Sequence, residues 1–540
     1  MEIPAHAPAR SRVIWPGLLA CGMVAACFFA QAWRGLGLWD ESFYWYGAQR
    51  VLQGEVPIRD FMSYDPGRYY WAAAFMTVWG GHGIVALRAA EAGAQMLGLF
   101  AGCWLVARSV SPIRRSAWLV LAAVTLLTWM TPGFKACDFA VSIGLVAALA
   151  HLAERPDVRR HFIAGAAVGL AAVFGRNHGV YGLAGSILAM ALLSGRREPG
   201  CTWLRALGAW AGGIVVGYLP VLILLIGCPG FARPFWDGVR FLLATGQFNI
   251  PLPVRWPWLV RLGPLGWGTW VQDFCSGLFY VGLLAFGVGG ALWAGRRAWR
   301  GRPIAPGLLA AIALSLPYAH YAFARADAEH MALGIFPALL GGLIWLAARP
   351  TATRWIGGAL LATASLAITV PKQWGWKSWR FHWTDKVAIC GDTILVSPSL
   401  AREIGFLRVL RGRYAPDGGT FLATPFWPGA YAVMEVRAPV WTIYALLPSS
   451  EEAQRAEIRR IEATPPAFVV LQDIPLDGRE ELRFRNMHPL LNRYLHEHFE
   501  PVMDLDVPQP VTDLSAPSRL EVLIPRPTTA VRSGAPGARP

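Results

Sequence analysis

Two adjacent carboxylates, Asp40 and Glu41, follow the first hydrophobic segment of the chain. Acidic side chains this close to lipid are costly unless they have a partner or a chemical task. A carboxylate held beside a hydroxyl or an amine can act as a general base. The alternative interpretation is structural, because Asp40 can cap a following helix and Glu41 can favour its first turn. The two roles are compatible.

Further candidates for ligand contact lie in turns beside later apolar segments, with two tyrosines in the first long loop: Lys135, Asp138, Arg176, His178, Arg325, Asp327, His330, Tyr69 and Tyr70. The cations among them suit phosphate oxygens, and arginine offers a bidentate fork. The alternatives are again structural. The cations can be membrane-edge anchors, the aspartates can cap helices, and interface tyrosines are common.

The composition predicts a membrane protein. The chain has 540 residues, 55% of them hydrophobic and 15% charged, which is more apolar than soluble domains usually are. The net charge of +15 arises mainly from short arginine clusters between apolar runs, so it indicates topology and not nucleic-acid binding. The eight cysteines show no CxxC or Cys/His spacing, and an Asp/His pair three residues apart is a weak metal signal. We therefore expect no metal and no other cofactor.

Hydropathy predicts about eleven membrane-spanning helices, since a span needs about 20 apolar residues. They cover residues 13–33, 84–107, 116–131, 139–153, 161–175, 179–194, 203–226, 274–294, 304–323, 331–348 and 355–371. The fifth and sixth are short and closely joined, so the number could differ by one pair.

The arginines predict the orientation. Clusters at residues 10–12, 108–115, 155–160, 196–197, 296–302 and 349–354 all fall on one side if there are eleven spans. That side should be the cytoplasm. The other side then receives loops 34–83 and 227–273, the turns at 131–138, 175–179 and 325–330, and everything after residue 371.

The predicted organisation is a cytoplasmic N-terminus (1–12), a transmembrane domain (13–371), an external α/β domain (372–525) and a disordered tail (526–540). In the first loop, Asp40 should begin a helix that ends at Gly54, and a second helix should begin near Pro66. In the α/β domain we predict helices over 399–411, 449–463 and 489–499, the second with a Ser449/Glu452 capping box. Strands are predicted over 419–424, 440–446, 467–471 and 520–524.

The first loop resembles that of GT-C glycosyltransferases. The Trp-Asp-Glu sequence at 39–41 is followed by a Tyr-x(n)-Gly-x-x-Pro pattern and by Asp-Pro-Gly-Arg-Tyr-Tyr at 65–70. It is similar to protein O-mannosyltransferases (family 39) and lipid A aminoarabinose transferases, where a Pro-Pro-Leu-Tyr-Tyr type stretch follows an acidic pair. The Arg-x-Asp-x-x-His turn at 325–330 and residues 465–499 are similar to bacterial members. Gly67-Arg68 replaces the usual Pro-Leu, and the soluble domain is not that of eukaryotic mannosyltransferases, which leaves the sugar and the acceptor open.

The resemblance implies transfer of a sugar from a polyprenyl-phosphate donor to a lipid, glycan or protein acceptor, on the external face of the cell (inner) membrane. Asp40 would be the base and Glu41 would position the acceptor or a basic partner. Arg176, Arg325 and Lys135 would hold the phosphate. Asp138, Asp327 and His330 could hydrogen-bond the sugar or bind a divalent ion with Asp40, although the sequence does not support a metal. His178 is a further candidate for sugar contact, and the two tyrosines could stack on the sugar.

Competing functions are a transporter or flippase of a lipid-linked saccharide, a non-catalytic membrane scaffold, and a polymerase or ligase for polyprenyl-diphosphate-linked glycans. A transporter would more often place its polar residues at mid-membrane depth in broken helices.

Overall fold

The structure is a computed structural model that describes residues 11–109, 115–196, 198, 200–245, 249–264, 266–507 and 518–527. The chain divides into two compact units, residues 1–36 with 47–401 and residues 37–46 with 402–540. The predicted N-terminus 1–12 and tail 526–540 lie mostly outside the described residues.

Helices dominate the described part of the chain. In order they are α1 (Ser11–Gln31), α2 (Asp40–Leu52), α3 (Gly67–Trp79), α4 (Ile84–Ala107), α5 (Arg115–Trp129), α6 (Ala136–Glu154), α7 (Val158–Phe174), α8 (Arg176–Leu192), α9 (Trp203–Gly227), α10 (Ala232–Thr245), α11 (Gly266–Leu284), α12 (Gly290–Trp299), α13 (Pro306–Ala324), α14 (Ala328–Ala347), α15 (Thr351–Thr369), α16 (Trp374–Arg380), α17 (Pro398–Tyr414), α18 (Pro428–Met434), α19 (Glu451–Ala463), α20 (Phe484–Met487) and α21 (Pro489–His498).

Eight helical segments of the described chain are long and apolar enough to cross a membrane. They are Val13–Gln31, Ile84–Ala107, Gly133–Glu154, Trp203–Gly227, Gly266–Trp299, Pro306–Ala324, Ala328–Ala347 and Thr351–Lys372. Each coincides with a predicted span. The other three predicted spans are shorter helices, with 15 residues in α5 and 17 each in α7 and α8. The polytopic helical fold class is confirmed, whereas the number of eleven spans and their orientation stay predictions.

Glycines set the spacing between α7 and α9. A Cβ atom at Gly165 or Gly169 would lie 2.0 or 2.2 Å from a backbone oxygen of α9, and one at Gly213 or Gly217 would lie 2.2 or 2.1 Å from a backbone oxygen of α7. The two backbones therefore touch, as small residues allow between membrane helices.

The helices of the first loop form as predicted. Helix α2 begins at Asp40, and Gly54, with φ of +86°, follows its end. Helix α3 follows Pro66, and Gly80 ends it in the left-handed conformation, where its N–H bonds the carbonyls of Met76 and Thr77. A Cβ-free residue adopts this conformation at no steric cost.

The strands of the described chain are β1 (Asp385–Ile389), β2 (Asp392–Val396), β3 (Leu422–Thr424), β4 (Val469–Asp473), β5 (Phe499–Val507) and β6 (Ser518–Pro525). The first two pair as an antiparallel hairpin in the first unit. Its turn residues, Cys390 and Gly391, both have positive φ, as a tight hairpin requires. The second unit holds a four-stranded sheet in the order β3-β4-β6-β5, with only the β3–β4 pair parallel.

Most elements predicted for the second unit are present, with two corrections. The predicted strand over 440–446 is wrong. Val440, Ile443 and Tyr444 are buried, but the segment follows an irregular path, so its apolar residues fill the core without joining the sheet. The predicted capping box is also wrong, because the Oγ atom of Ser450, and not that of Ser449, caps α19 by accepting the N–H of Ala453.

Candidate active site

A buried polar network joins four helices of the first unit at their ends. The Arg68 guanidinium donates two hydrogen bonds to the Asp138 carboxylate, at 3.0 and 3.1 Å, and a third to the Phe174 carbonyl at 2.8 Å. His178 Nε2 lies 2.9 Å from Asp138 Oδ1, and His178 Nδ1 lies 2.7 Å from the Tyr318 hydroxyl. In a neutral imidazole, Nε2 then donates to the carboxylate and Nδ1 accepts from the tyrosine.

These residues meet because each lies near an end of its helix. Arg68, Asp138 and His178 lie in the first turns of α3, α6 and α8, and Tyr318 lies within the last two turns of α13. The contacts therefore bring the N-terminal ends of three helices to the C-terminal end of a fourth. Buried charges persist only when paired and hydrogen-bonded, and Arg68, Asp138 and His178 are 3%, 2% and 0% exposed.

Arg176 forms a second ionic contact beside this network. Its Nε lies 2.7 Å from one Asp65 oxygen, and its backbone N–H donates to the other at 2.9 Å. The guanidinium carbon also lies 5.5 Å from the centre of the Phe235 ring. Nη1 is buried and has no hydrogen-bond partner among the described residues. Arg176 is thus held by one carboxylate, and its Nη1 group can still donate a hydrogen bond to an anion.

Lys135 is held by aromatic rings. Its ammonium lies 4.0 Å from the Tyr64 ring centre and 5.4 Å from that of Phe134, and Arg68 lies 4.8 Å from the Tyr64 centre. A cation over an aromatic face is attracted by the ring but keeps its hydrogen-bond donors. Lys135 can therefore still bind a phosphate oxygen.

Arg325, Asp327 and His330 form a separate group at the start of α14. Asp327 caps the helix by accepting the N–H of His330 at 2.8 Å, so the capping role is confirmed for this residue. Its carboxylate also accepts from Arg325 Nε at 2.8 Å and lies 2.9 Å from His330 Nδ1. Although burial opposes ionisation, the bonds from His330 and the charge of Arg325 lower the pKa of Asp327 to about 2, which makes it a weak base.

The two tyrosines of α3 differ in exposure. Tyr69 is fully buried, and its hydroxyl accepts the N–H of Tyr64, so its ring serves the packing of the first loop. Tyr70 is 39% exposed. Only Tyr70 presents a face on which a ligand could stack.

The acidic pair lies in the second unit. Glu41 is 7% exposed, and its carboxylate accepts the N–H of Gly37 at 2.9 Å. Asp40 is the first residue of α2 and is partly exposed. Nearby, Trp39 packs on Phe426, and Phe43 packs on Tyr444. Glu41 lies in the first turn of α2, as the structural alternative expects, and it also closes the turn before the helix.

Sequence reasoning did not select Arg68, Asp65 or Tyr318 as site residues. Arg68 and Asp65 stand in the Asp-Pro-Gly-Arg stretch at 65–68, where an arginine in the first helical turn beside a membrane is the available signal. Tyr318 lies inside an apolar helix, and no sequence signal marks it as a site residue. Asp138, expected as a possible cap, instead pairs with Arg68 and His178.

No protein-family model matches the sequence, and no curated protein matches it. Matches among solved structures include ArnT from Cupriavidus metallidurans in the apo state, with 13% identity, a TM-score of 0.49 and coverage of 95% of this chain and 98% of ArnT. ArnT bound to undecaprenyl phosphate matches with 13% identity, a TM-score of 0.44 and coverage of 94% and 97%. The Archaeoglobus fulgidus oligosaccharyltransferase matches with 13% identity, a TM-score of 0.45 and coverage of 91% and 72%.

Proposed function

We propose that this protein is a glycosyltransferase that moves a hexosyl or pentosyl group from a polyprenyl-phosphate donor to a lipid, glycan or protein acceptor at the external face of the membrane. Asp40 acts as the general base. The donor assignment rests on the resemblance of residues 38–72 to GT-C first loops.

One observation carries the proposal. The predicted site residues Asp138 and His178 lie together at one end of the helix bundle, with Arg68 and Tyr318. Arg176 stands two residues before His178, at the start of the same helix. These helix ends belong to segments for which the arginine clusters predict an external position. A lipid-carried donor suits that side, because nucleotide sugars are not supplied outside the cytoplasmic membrane.

The reaction balances as a single displacement. Asp40 removes the proton from the acceptor hydroxyl or amine, and the acceptor atom forms a bond to the anomeric carbon of the sugar. The bond between that carbon and the phosphate oxygen breaks, and its electron pair leaves with polyprenyl phosphate. Arg176 and Lys135 stabilise the charge that develops on the phosphate.

Asp40 is the proposed base because it belongs to the acidic pair after the first span, the stretch that resembles GT-C first loops. The other candidate carboxylates are less suited to the role. Asp138 binds Arg68 and His178 through both oxygens. Asp327 has a pKa of about 2, and Glu41 is buried against Gly37. Asp40 is partly exposed at the start of its helix.

The polar network at the helix ends disfavours a transporter. Transporters usually hold their substrates near mid-membrane depth with discontinuous helices, whereas Asp138 and His178 lie in first turns. A scaffold would have no need for cations such as Lys135 and Arg176 that keep donors available for an anion.

The proposal is tested by comparing the lipids and glycans of cells that contain and lack the protein. We expect one saccharide to lose a single sugar residue by mass spectrometry, and the corresponding polyprenyl-phosphate sugar to accumulate. Unchanged saccharides together with accumulation of an untranslocated lipid-linked sugar would favour the flippase. Reporter fusions after Arg115 and after Trp383 test the side of the membrane, because the external assignment requires opposite locations.

A further inference from the structure

The second unit contains a cleft of about 350 Å³. One wall is the last two turns of α17, with Arg408, Arg411 and Gly412, and the floor includes Val433 and Met434 at the end of α18. The volume is small, near the lower limit of small-molecule sites, which suits one or two sugar rings.

Arg411 is anchored at this cleft. Its Nη1 donates to the Met434 carbonyl at 2.6 Å, which satisfies one of the last carbonyls of α18. Among the described residues this is the only hydrogen bond or ion pair of the Arg411 guanidinium. Since a guanidinium has five N–H donors, Arg411 is held in place and retains donors. Arg408 lies one turn earlier on the same helix and adds a second positive charge to the lining.

Glu435 completes the cleft and has an unusual backbone. It follows α18 with φ of 55° and ψ of 41°, a left-handed conformation in which glycine is preferred at helix ends. The chain has a carboxylate there despite this cost. Non-glycine residues in this conformation cluster at ligand sites, and a carboxylate accepts hydrogen bonds from hydroxyl groups.

The cleft also has free space beside α17. A Cβ atom built at Gly412 would meet no atom within 4 Å, and the same holds for Gly405 two turns earlier on the helix. Only Gly412 lines the cleft. A side chain at 412 can therefore enter the cleft without a clash, and 405 is a matched position outside it.

We propose that this cleft binds a saccharide that carries a carboxylate or a phosphate. Arg411 and Arg408 bind the anionic group, and Glu435 accepts hydrogen bonds from the sugar hydroxyls. The inference deepens the proposed function, because the ligand would be the acceptor of the transferred sugar. Only this role as acceptor rests on the proposed function, whereas binding of the saccharide does not.

Binding of simple sugars to the full-length protein in detergent tests the proposal, and it needs no polyprenyl-phosphate sugar donor. The probes are glucuronate, glucose 1-phosphate and neutral glucose, and the readout is ligand-observed saturation transfer. We expect both anionic sugars to bind saturably and glucose about tenfold more weakly, the effect of losing a charge-assisted bond. No saturable binding of either anionic sugar would overturn the proposal.

Variants identify the site. Gly412→Phe should abolish binding, whereas Gly405→Phe should leave it unchanged, and equal binding by the two would contradict the assignment. Asp40→Asn should bind normally, so that failure of binding and failure of transfer are distinguishable.

Discussion

The guanidinium of Arg68 and the carboxylate of Asp138 face each other in the interior of the first unit, joined by hydrogen bonds of 3.0 and 3.1 Å. The two residues are 70 positions apart in the chain, and the pair ties the start of α3 in the first loop to the start of α6 in the bundle. His178 binds the same carboxylate. This ion pair therefore fixes the loop after the first span to the helix ends, as the Asp65–Arg176 pair does at the start of α8.

Breaking this pair from one side should be costly. We expect Asp138→Asn or Arg68→Met to lower the free energy of unfolding by about 3 kcal/mol or more, because each leaves an uncompensated buried charge or unpaired donors. The double variant should lose less unfolding free energy than the sum of the losses in the two single variants. A double-mutant cycle by thermal unfolding in detergent measures the coupling, and additive losses would show that the pair acts through separate contacts.

Lys135→Met should weaken binding of a polyprenyl phosphate, the lipid part of the proposed donor, by about tenfold, because one charge-assisted bond to the phosphate is lost. Lys377→Met is the matched control, since the Lys377 ammonium also lies over an aromatic ring, 4.5 Å from that of Trp374. Titration of the purified protein with the lipid checks both variants. A similar loss in the control would point to general attraction of anionic lipid.

Gly169→Val should separate α7 from α9, since a Cβ at Gly169 would lie 2.2 Å from the Ile214 oxygen. The melting temperature should fall markedly, as overpacking of close helices costs about 1–3 kcal/mol or more. Gly212→Val on α9 is the control, because a Cβ there meets no atom within 4 Å. Equal melting temperatures of the two variants would contradict the claim that the backbones of α7 and α9 touch at Gly169.

His488 should make stability depend on pH. Burial lowers the pKa of this residue to about 4, and its ring stacks on Phe484. Between about pH 6.5 and pH 4 the unfolded chain binds a proton that the folded chain does not, so stability is complete above that range and falls as the pH drops through it, by about 3 kcal/mol at most.

Melting temperatures from pH 7.5 to 4 measure this effect. His488→Phe should flatten the pH dependence in that range, whereas the exposed His498→Gln should leave it intact. If the melting temperature of His488→Phe still fell with pH as steeply as that of the natural protein, the pH dependence would belong to other groups.

Hydropathy predicts the eight long apolar helices because a helix in lipid must be apolar along its whole length. The same property hides the site. Tyr318 is a polar residue inside an apolar helix, His178 lies in the first turn of another helix, and only the fold shows that they bond each other. The partner of Arg68 is 70 residues away, a distance over which local pattern carries no information.

The second unit shows a different limit. Residues 440–446 have the apolar, β-branched character of a strand, yet they pack into the core irregularly, because side-chain burial and strand pairing give the same sequence pattern. The β1–β2 hairpin was missed because its tight turn uses Cys390, a residue with no turn preference, before Gly391.

The most direct measurement is transfer by the Asp40→Asn variant in cells that lack the natural protein. The amide keeps the shape of the first helical turn and removes the base. We therefore predict that the variant reaches the membrane, binds a polyprenyl phosphate and transfers at least about 100-fold less sugar. Glu451→Gln, an acid in the first turn of α19, controls for loss of a helix-favouring charge and should transfer normally. Full transfer by Asp40→Asn would contradict the assignment of Asp40 as the base.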